Sequence, residues 1–369
     1  MGVNLLQEKQ KIDKILSSAK KILITSHKRP DPDALGSVIG FKWYVDKYFP
    51  DTESRVVFTS SQDTVDESFS FLEGFKYLET VEDVHTLIAD FDTFVFLDGS
   101  EFSRFTEHPE DFKSAKIKSI CIDHHPGDSD SFDYYFRDAA RASCSEIVCD
   151  ILFSDEDLKE RLPSEALFVG IHGDTGGFAF VDAARARVFD TAKRIVVNSE
   201  LVVQSLLLNM SSIDETAFDF LRVLIKNTKN TESAGSFKLP PLTFSFFTKE
   251  DVRGMGKEEV KPGRALFVVK YLCKIAGHGW GFVVTPFEGE NKFGLSLRST
   301  PGSVNVSEVA KAFGGGGHTF AAAADVVAED FALTEEEFSS LDGEDVAQLV
   351  LEKIEALFDD GTVTITSAE

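Results

Sequence analysis

Asp123, His124 and His125 stand together directly after the apolar run 117–122. A carboxylate and two imidazoles at the end of a strand pack poorly in a core and ligate a cation well. Similar side chains end other apolar runs. His27, Asp31 and Asp33 follow the run 21–26, Asp98 follows 94–97, and Asp174 sits in the segment 170–177. Mixed His and carboxylate ligands suit first-row divalent ions, and this many carboxylates favour Mn²⁺ or Mg²⁺. Two carboxylates as close as Asp31 and Asp33 repel unless a cation lies between them. Pro30 and Pro32 disfavour helix before Asp33 and stiffen the loop. Asp33 is equally suited to capping the helix that follows. Asp98 is placed to bridge two ions, an arrangement that activates water and stabilises in-line phosphoryl transfer. Adjacent His124 and His125 diverge, so one can ligate while the other faces substrate. Asp123 can hold one of the two rings by a hydrogen bond.

A second constellation lies in the other half. Arg298 ends the run 294–298, and four consecutive glycines, 314–317, precede His318. Glycines 315, 316 and 317 let backbone N–H groups approach an anion, and His318 adds a donor. Arg298 can fork onto a phosphate. Together they suggest a phosphate or nucleotide clamp facing the metals across a cleft between domains. Trp280 offers a face for stacking, but the core is its expected place.

The elements that must position these groups follow from the apolar pattern. In the first half, strands over 21–27, 55–59, 94–98 and 117–123 alternate with helices over 33–48, 143–153, 164–171 and 184–197. Such alternation predicts an α/β domain, a parallel sheet flanked by helices, over 1–198. In an open parallel sheet, ligands bind outside the carboxyl ends of the strands. The strand-terminal clusters would therefore converge. Helices over 200–209 and 214–226 predict a connector over 199–234, ending in the polar stretch 227–241 with Gly235, Pro240 and Pro241. A smaller mixed α/β domain over 235–369 is expected, with strands at 242–247, 264–272, 280–285 and 293–298 and a helix at 306–313. One more strand, an acidic loop around Glu335, Glu336 and Glu337, and a helix at 346–358 complete it.

With 62 acidic against 38 basic residues, the net charge of -24 opposes long duplex nucleic acid, whose binding relies on neutralising many phosphates. A small anionic substrate remains compatible, because cations and a few arginines make a cleft locally positive. No stretch reaches the roughly 20 apolar residues of a membrane span, and residues 1–21 lack a signal-peptide core. A cytoplasmic protein is expected. The four cysteines form no CxxC pair and predict no disulfide framework.

These residues resemble the DHH phosphoesterase superfamily with its DHH-associated C-terminal domain. The motifs are SHKRPDPDALGS at 26–37, VFLDGSEFSR at 95–104, IDHH at 122–125 and GIHGDTGGF at 170–178. LSLRST at 295–300 with GGGGH at 314–318 marks the C-terminal domain. The nearest branch is that of the oligoribonucleases that also dephosphorylate 3′-phosphoadenosine 5′-phosphate. The resemblance implies that His27, Asp31 and Asp98 hold one Mn²⁺, and that Asp33, Asp98, His124 and Asp174 hold another, with Mg²⁺ or Co²⁺ as alternatives. It implies catalytic roles for Asp98, Asp123 and His125, the last on the scissile phosphate, and a water between the ions as nucleophile. Arg298, His318, Gly315, Gly316, Gly317 and Arg104 would bind substrate. Expected partners are short RNA oligonucleotides or small phosphorylated nucleotides and a second copy of the chain, with no membrane. The chain departs from the family pattern at Gly99 and Ser100, at the segment 126–130, and at Ala324, where a glycine usually closes the small-residue run.

Competing readings are a hydrolase of cyclic or linear di-adenylate, a single-strand 5′ exonuclease, and a nucleotide-binding sensor without catalysis. Acidic charge and the lack of a further nucleic-acid-binding domain oppose the exonuclease. A sensor predicts lost ligands, and every expected ligand is present.

Overall fold

The apolar runs of the first half form six strands: β1 Lys21–Ser26, β2 Glu53–Thr59, β3 Leu78–Val81, β4 Thr93–Leu97, β5 Lys118–Asp123 and β6 Tyr134–Arg137. All are parallel, in the order β3-β2-β1-β4-β5-β6. A computed structural model describes residues 4–60, 65–115, 117–125, 131–231 and 239–366. The segment 126–130 and Gly235 lie outside the described residues. Around the sheet run α1 Leu5–Leu16, α2 Pro32–Tyr48, α3 Pro109–Ser114, α4 Cys144–Leu152, α5 Arg161–Asp174, α6 Val188–Ser199 and α7 Val203–Ser211. β4 is buried along its whole length and β1 at all but its first residue, as a sheet covered on both faces requires. Strand order reverses between β1 and β4, so the crevice at their carboxyl ends is the natural binding point of this topology.

Helix α2 can approach α5 closely because small residues line the contact. A side chain at Gly36 would sit 2.4 Å from the Ala166 carbonyl oxygen, and one at Gly40 would sit 2.8 Å from Leu167 Cδ2. On the other face of the sheet, Phe96 meets Phe102, Phe105, Phe112 and Phe132 at centroid distances of 4.9–5.5 Å. These rings anchor the segment after β4, which holds Arg104, to the sheet. Burying each such side chain contributes about 1.5–3 kcal/mol.

The chain divides into compact units Met1–Ser212 and Ile213–Glu369. The two helices expected as a connector fall on either side of this division: α7 ends the first unit, and α8 Glu215–Lys226 packs on α9 Lys257–Lys270 in the second. The second unit also contains β7 Lys229–Asn230, β8 Thr243–Phe246, β9 Trp280–Pro286, β10 Phe293–Ser299, α10 Val306–Lys311, β11 Gly316–His318, β12 Ala321–Val326, α11 Glu335–Ser340 and α12 Gly343–Asp359. Its six-stranded sheet is mixed, in the order β11-β12-β10-β9-β8-β7.

Two expectations about these elements need correction. The run 264–272 is the end of helix α9, not a strand. Val260, Gly263, Phe267 and Val268 are its buried positions, a helical spacing that the short apolar run alone did not reveal. Glu335, Glu336 and Glu337 are the first turn of α11, capped by Thr334, because carboxylates favour a helix N-terminus. The last glycines pair with β12 as the edge strand β11. Trp280 is fully buried and donates its Nε1 hydrogen to the Pro240 carbonyl oxygen at 3.2 Å. All four cysteines are free thiols. No described helix is long and apolar enough to cross a membrane.

Candidate metal centre

Ser26 of β1 pairs in register with Leu97 of β4, and Leu97 pairs with Ile122 of β5. The next residues, His27, Asp98 and Asp123, therefore emerge side by side at the carboxyl edge of the sheet. Asp98 turns there with φ +61°, a left-handed conformation that few side chains other than Asn and Asp tolerate. Its amide donates to the Ile122 carbonyl oxygen at 3.0 Å, holding the turn. Its carboxylate is 1% exposed and faces two imidazoles. Oδ2 lies 3.2 Å from His27 Nε2, and Oδ1 lies 3.4 Å from His124 Nε2.

Helix α2 brings the next two acids. Asp31, not Asp33, caps it, accepting from the amides of Asp33 and Ala34 at 3.0 Å each. The same Asp31 oxygen lies 3.7 Å from His27 Nε2. Asp33 instead reaches the N-terminus of α4, accepting from the amides of Cys144 at 2.6 Å and Ser145 at 2.8 Å. Asp174, at the end of α5, lies 3.0 Å from His124 Nε2. Asp123 Oδ1 accepts from the amides of His124 and His125 and lies 2.8 Å from His125 Nδ1. His125 is thus the ring that Asp123 holds, while His124 turns toward Asp33, Asp98 and Asp174.

Without a cation these charges perturb one another. Burial disfavours the His27 imidazolium, but the neighbouring carboxylates of Asp31 and Asp98 outweigh it and raise its pKa to about 9. For His124, Asp174 and Asp98 likewise overcome burial and raise the pKa to about 11. Burial, then the charges of Asp98 and Asp174, push the Asp33 carboxyl far up. Burial also raises Asp174. Asp98 alone moves down: burial opposes its charge, yet the two imidazoles prevail.

The donor set fits metal ions. Ligand atoms of His27, Asp31 and Asp98 lie within 4.8 Å of one another, as do those of Asp33, His124 and Asp174, and those of Asp98, His124 and His125. Four buried polar atoms here have no hydrogen-bond partner: His27 Nε2, Asp98 Oδ1, Asp123 Oδ2 and His124 Nε2. Native interiors rarely leave such atoms unsatisfied unless an ion or water serves them. Arg104 sits beside this centre. Its carbonyl oxygen accepts from the Lys28 amide at 2.8 Å, and its Cδ is 3.4 Å from where a side chain at Gly99 would begin.

In the second unit, Arg298, Gly316 and Gly317 line a pocket of 410 Å³ together with Arg264, Lys261 and Ala321–Ala323. The lining contains three cationic side chains and no acidic one. Burial lowers the Arg264 pKa despite the charge of Glu258, the mark of a guanidinium short of counter-charge. Gly315 is not in the lining; it admits Ala324, whose Cβ lies 2.5 Å from where its own would be. His318 is exposed at the end of β11, opposite Ala321.

Residues 21–171 match the family model for the DHH family, N-terminal domain, and residues 244–341 match that for the DHHA1 domain. The chain belongs to the DHH superfamily. It is 25% identical over 331 residues to the bifunctional oligoribonuclease and PAP phosphatase NrnA of Bacillus subtilis, covering 87% of this chain and 94% of that one. It is also 25% identical to the probable bifunctional oligoribonuclease and PAP phosphatase NrnA of Streptococcus mutans, covering 82% and 88%. In fold it resembles an exopolyphosphatase-related protein from Bacteroides fragilis, with a TM-score of 0.72, 21% identity and coverage of 96% and 98%.

Within this DHH chain two contributors escaped the sequence. The α4 amides that hold Asp33 carry no side-chain signature. Arg264 was hidden in a presumed strand; the helical spacing of Val260, Phe267 and Val268 was the signal that would have placed it. Gly99, a departure from the family pattern, lets Phe105 pack closely, its Cζ 2.9 Å from where a side chain would start.

Proposed function

We propose that this chain, a DHH phosphoesterase, is a Mn²⁺-dependent hydrolase of small nucleotides, cleaving short oligoribonucleotides and 3′-phosphoadenosine 5′-phosphate. The observation that carries this reading is the set of orphaned ligand atoms on either side of the shared, buried Asp98. The activities for which the NrnA relatives are named, and their alignment over most of both chains, support this substrate class. His27, Asp31 and Asp98 would hold one cation, and Asp33, Asp98, His124 and Asp174 the other. When bound, the cations supply Lewis acidity and activate water for in-line attack on phosphorus.

The protein's own groups do the rest. Asp123 fixes the His125 ring through Nδ1, which leaves Nε2 as the edge toward the scissile phosphate; as the imidazolium, the ring can give its Nε2 proton to the leaving oxygen and return to neutral imidazole. Asp33 stays rigid because two α4 amides hold it. In the DHHA1 domain, Arg298 and Arg264 hold a substrate phosphate, and Gly316 and Gly317 leave room for it.

Initial rates with the Mn²⁺-loaded protein test this on four substrates: 3′-phosphoadenosine 5′-phosphate, an RNA dinucleotide, a longer RNA and linear di-adenylate. The dinucleotide and the mononucleotide should be hydrolysed faster than the longer strand. Turnover of none of them by metal-loaded protein would overturn the reading.

A further inference from the structure

A second group of ligand-type side chains shares no residue with the centre above. Asp83 begins the 3-10 turn Val84–Asp90 after β3, His85 lies within it, and His108 directly precedes α3. One ligand atom from each of Asp83, His85 and His108 lies within 4.8 Å of the others. The two rings lie close together, their centroids 4.0 Å apart and their planes tilted by 43°.

The carboxylate in this group is built in. Asp83 side chain is 7% exposed. Its Oδ1 accepts from the His85 amide at 2.9 Å and from Thr106 Oγ1, and its Oδ2 accepts from the Glu107 amide at 2.7 Å. Thr106 Oγ1 in turn accepts from the His108 amide at 2.9 Å. Thr59 Oγ1, at the end of β2, accepts from the Val84 amide and donates to the Phe105 carbonyl oxygen. Three separate segments are thereby tied together around the carboxylate.

An ordinary capping role would explain the Asp83 bonds, but not the rings. His85 Nδ1 is buried and makes no hydrogen bond, although Asp83 Oδ1 lies 3.0 Å away. Seven buried side-chain atoms among the described residues share that condition. Four are the atoms of the metal centre, and His85 Nδ1 is the one that lies in another His–Asp cluster. The same unmet bonding therefore marks both places.

We propose that Asp83, His85 and His108 form a further cation site, suited to Zn²⁺. Two imidazoles and one carboxylate match the ligand preferences of zinc and leave a fourth position open to solvent through exposed His108. The carboxylate-rich centre around Asp98 favours harder ions, so the two places discriminate by ligand type. A cation here would clamp residues 104–108 to the turn after β3. That segment holds the His27 loop: the Arg104 carbonyl oxygen accepts from the Lys28 amide, and Lys28 Nζ pairs with Glu107 at 2.7 Å.

The test counts zinc per chain by mass spectrometry. Full-length protein is stripped with a chelator and then equilibrated with low-micromolar Zn²⁺. Wild type should hold one zinc more than His108→Ala. In an Asp98→Asn background, one tight zinc should remain and should be lost, with at least tenfold weaker binding, on adding His108→Ala or His85→Gln. Zn²⁺ should raise the unfolding temperature of Asp98→Asn but not of Asp98→Asn with His108→Ala. His108 is exposed, so its replacement leaves the fold intact, and the His85→Gln variant gives an independent reading. Equal zinc counts and equal thermal shifts with and without His108 would overturn the proposal.

Discussion

The sheet of the first unit gathers carboxylates and imidazoles at the ends of β1, β4 and β5, with His27, Asp98 and Asp123 buried. The sheet of the second unit places Arg298 of β10 and Arg264 of α9 beside a glycine strand, in a pocket with no acid. Asp33 and Asp98 are 0% and 1% exposed, so their mutual repulsion is poorly screened, and a cation between them would relieve it. The arginine pocket presents the opposite deficit, which an anion would meet. Other buried charges among the described residues do find partners. Arg141, for example, is buried against Glu146 and Asp150 at 2.7 and 2.6 Å. Under the proposed function, unmet charge marks the ligand sites, and each sign of charge would call for a different ligand.

Removing the shared acid should break the first half of this contrast. Asp98→Asn keeps a residue that tolerates φ +61° while removing the charge. Hydrolysis should fall on the order of 1000-fold with the circular dichroism spectrum retained. Unchanged turnover would remove Asp98 from the centre.

In the second half, Arg264→Ala and Arg298→Ala should each raise KM while leaving kcat nearly unchanged. Loss of a charge-assisted hydrogen bond, about 1.5–3 kcal/mol, corresponds to roughly 10- to 100-fold. A fall in kcat with constant KM would place these residues at the reacting atoms instead.

Acidity sharpens the contrast further. In the cation-free protein His27 and His124 keep their protons up to about pH 9 and 11, respectively. A cation must displace those protons, so its affinity should rise from pH 6 to 9, with proton release visible by calorimetry in buffers of different ionisation enthalpy. The raised pKa values of these rings add stability at low pH that is lost as pH rises through them. The thermal shift on adding Mn²⁺ should therefore grow with pH. A shift independent of pH would mean that the rings do not ligate.

Close packing beneath the centre predicts a structural effect. Gly170→Ala would put a methyl group 2.0 Å from Ser145 Oγ and 2.9 Å from Asp33 Oδ1. Destabilisation of about 1–3 kcal/mol is expected in urea unfolding, with weaker Mn²⁺ binding.

Asp157 is the internal control, a buried acid that already has its cation. Burial opposes its charge, but Lys47, Ser154 and Tyr48 overcome it and lower the pKa to about 2. Its contribution, about 2 kcal/mol, is present above pH 4 and fades as pH falls toward 2. Asp157→Asn should flatten that acid limb of the stability curve and leave Mn²⁺ binding unchanged.

Much of this architecture was legible in the chain. Strands β1, β4 and β5 are apolar runs ended by ligand-type residues, and α2 follows a Pro–Asp start; local pattern carries both signals. Legibility failed where local pattern was ambiguous or absent. The run 264–272 is apolar enough for either helix or strand, and packing against α8 decided for helix. Short β3 and β6 have too few apolar residues to stand out. The capping of α2 by Asp31 instead of Asp33 depended on where the α4 amides lie, more than 100 residues away in the chain.

The sequence by itself determined the class of chemistry, because residue types at strand ends are local facts and an α/β sheet brings such ends to one edge. Only the tertiary structure decided which imidazole Asp123 holds, which acid meets α4, that Arg264 joins Arg298, and that His108 joins Asp83 and His85. The last three depend on contacts between segments distant in the chain, and the first on His124 turning to the distant Asp33, Asp98 and Asp174, so no local pattern encodes them.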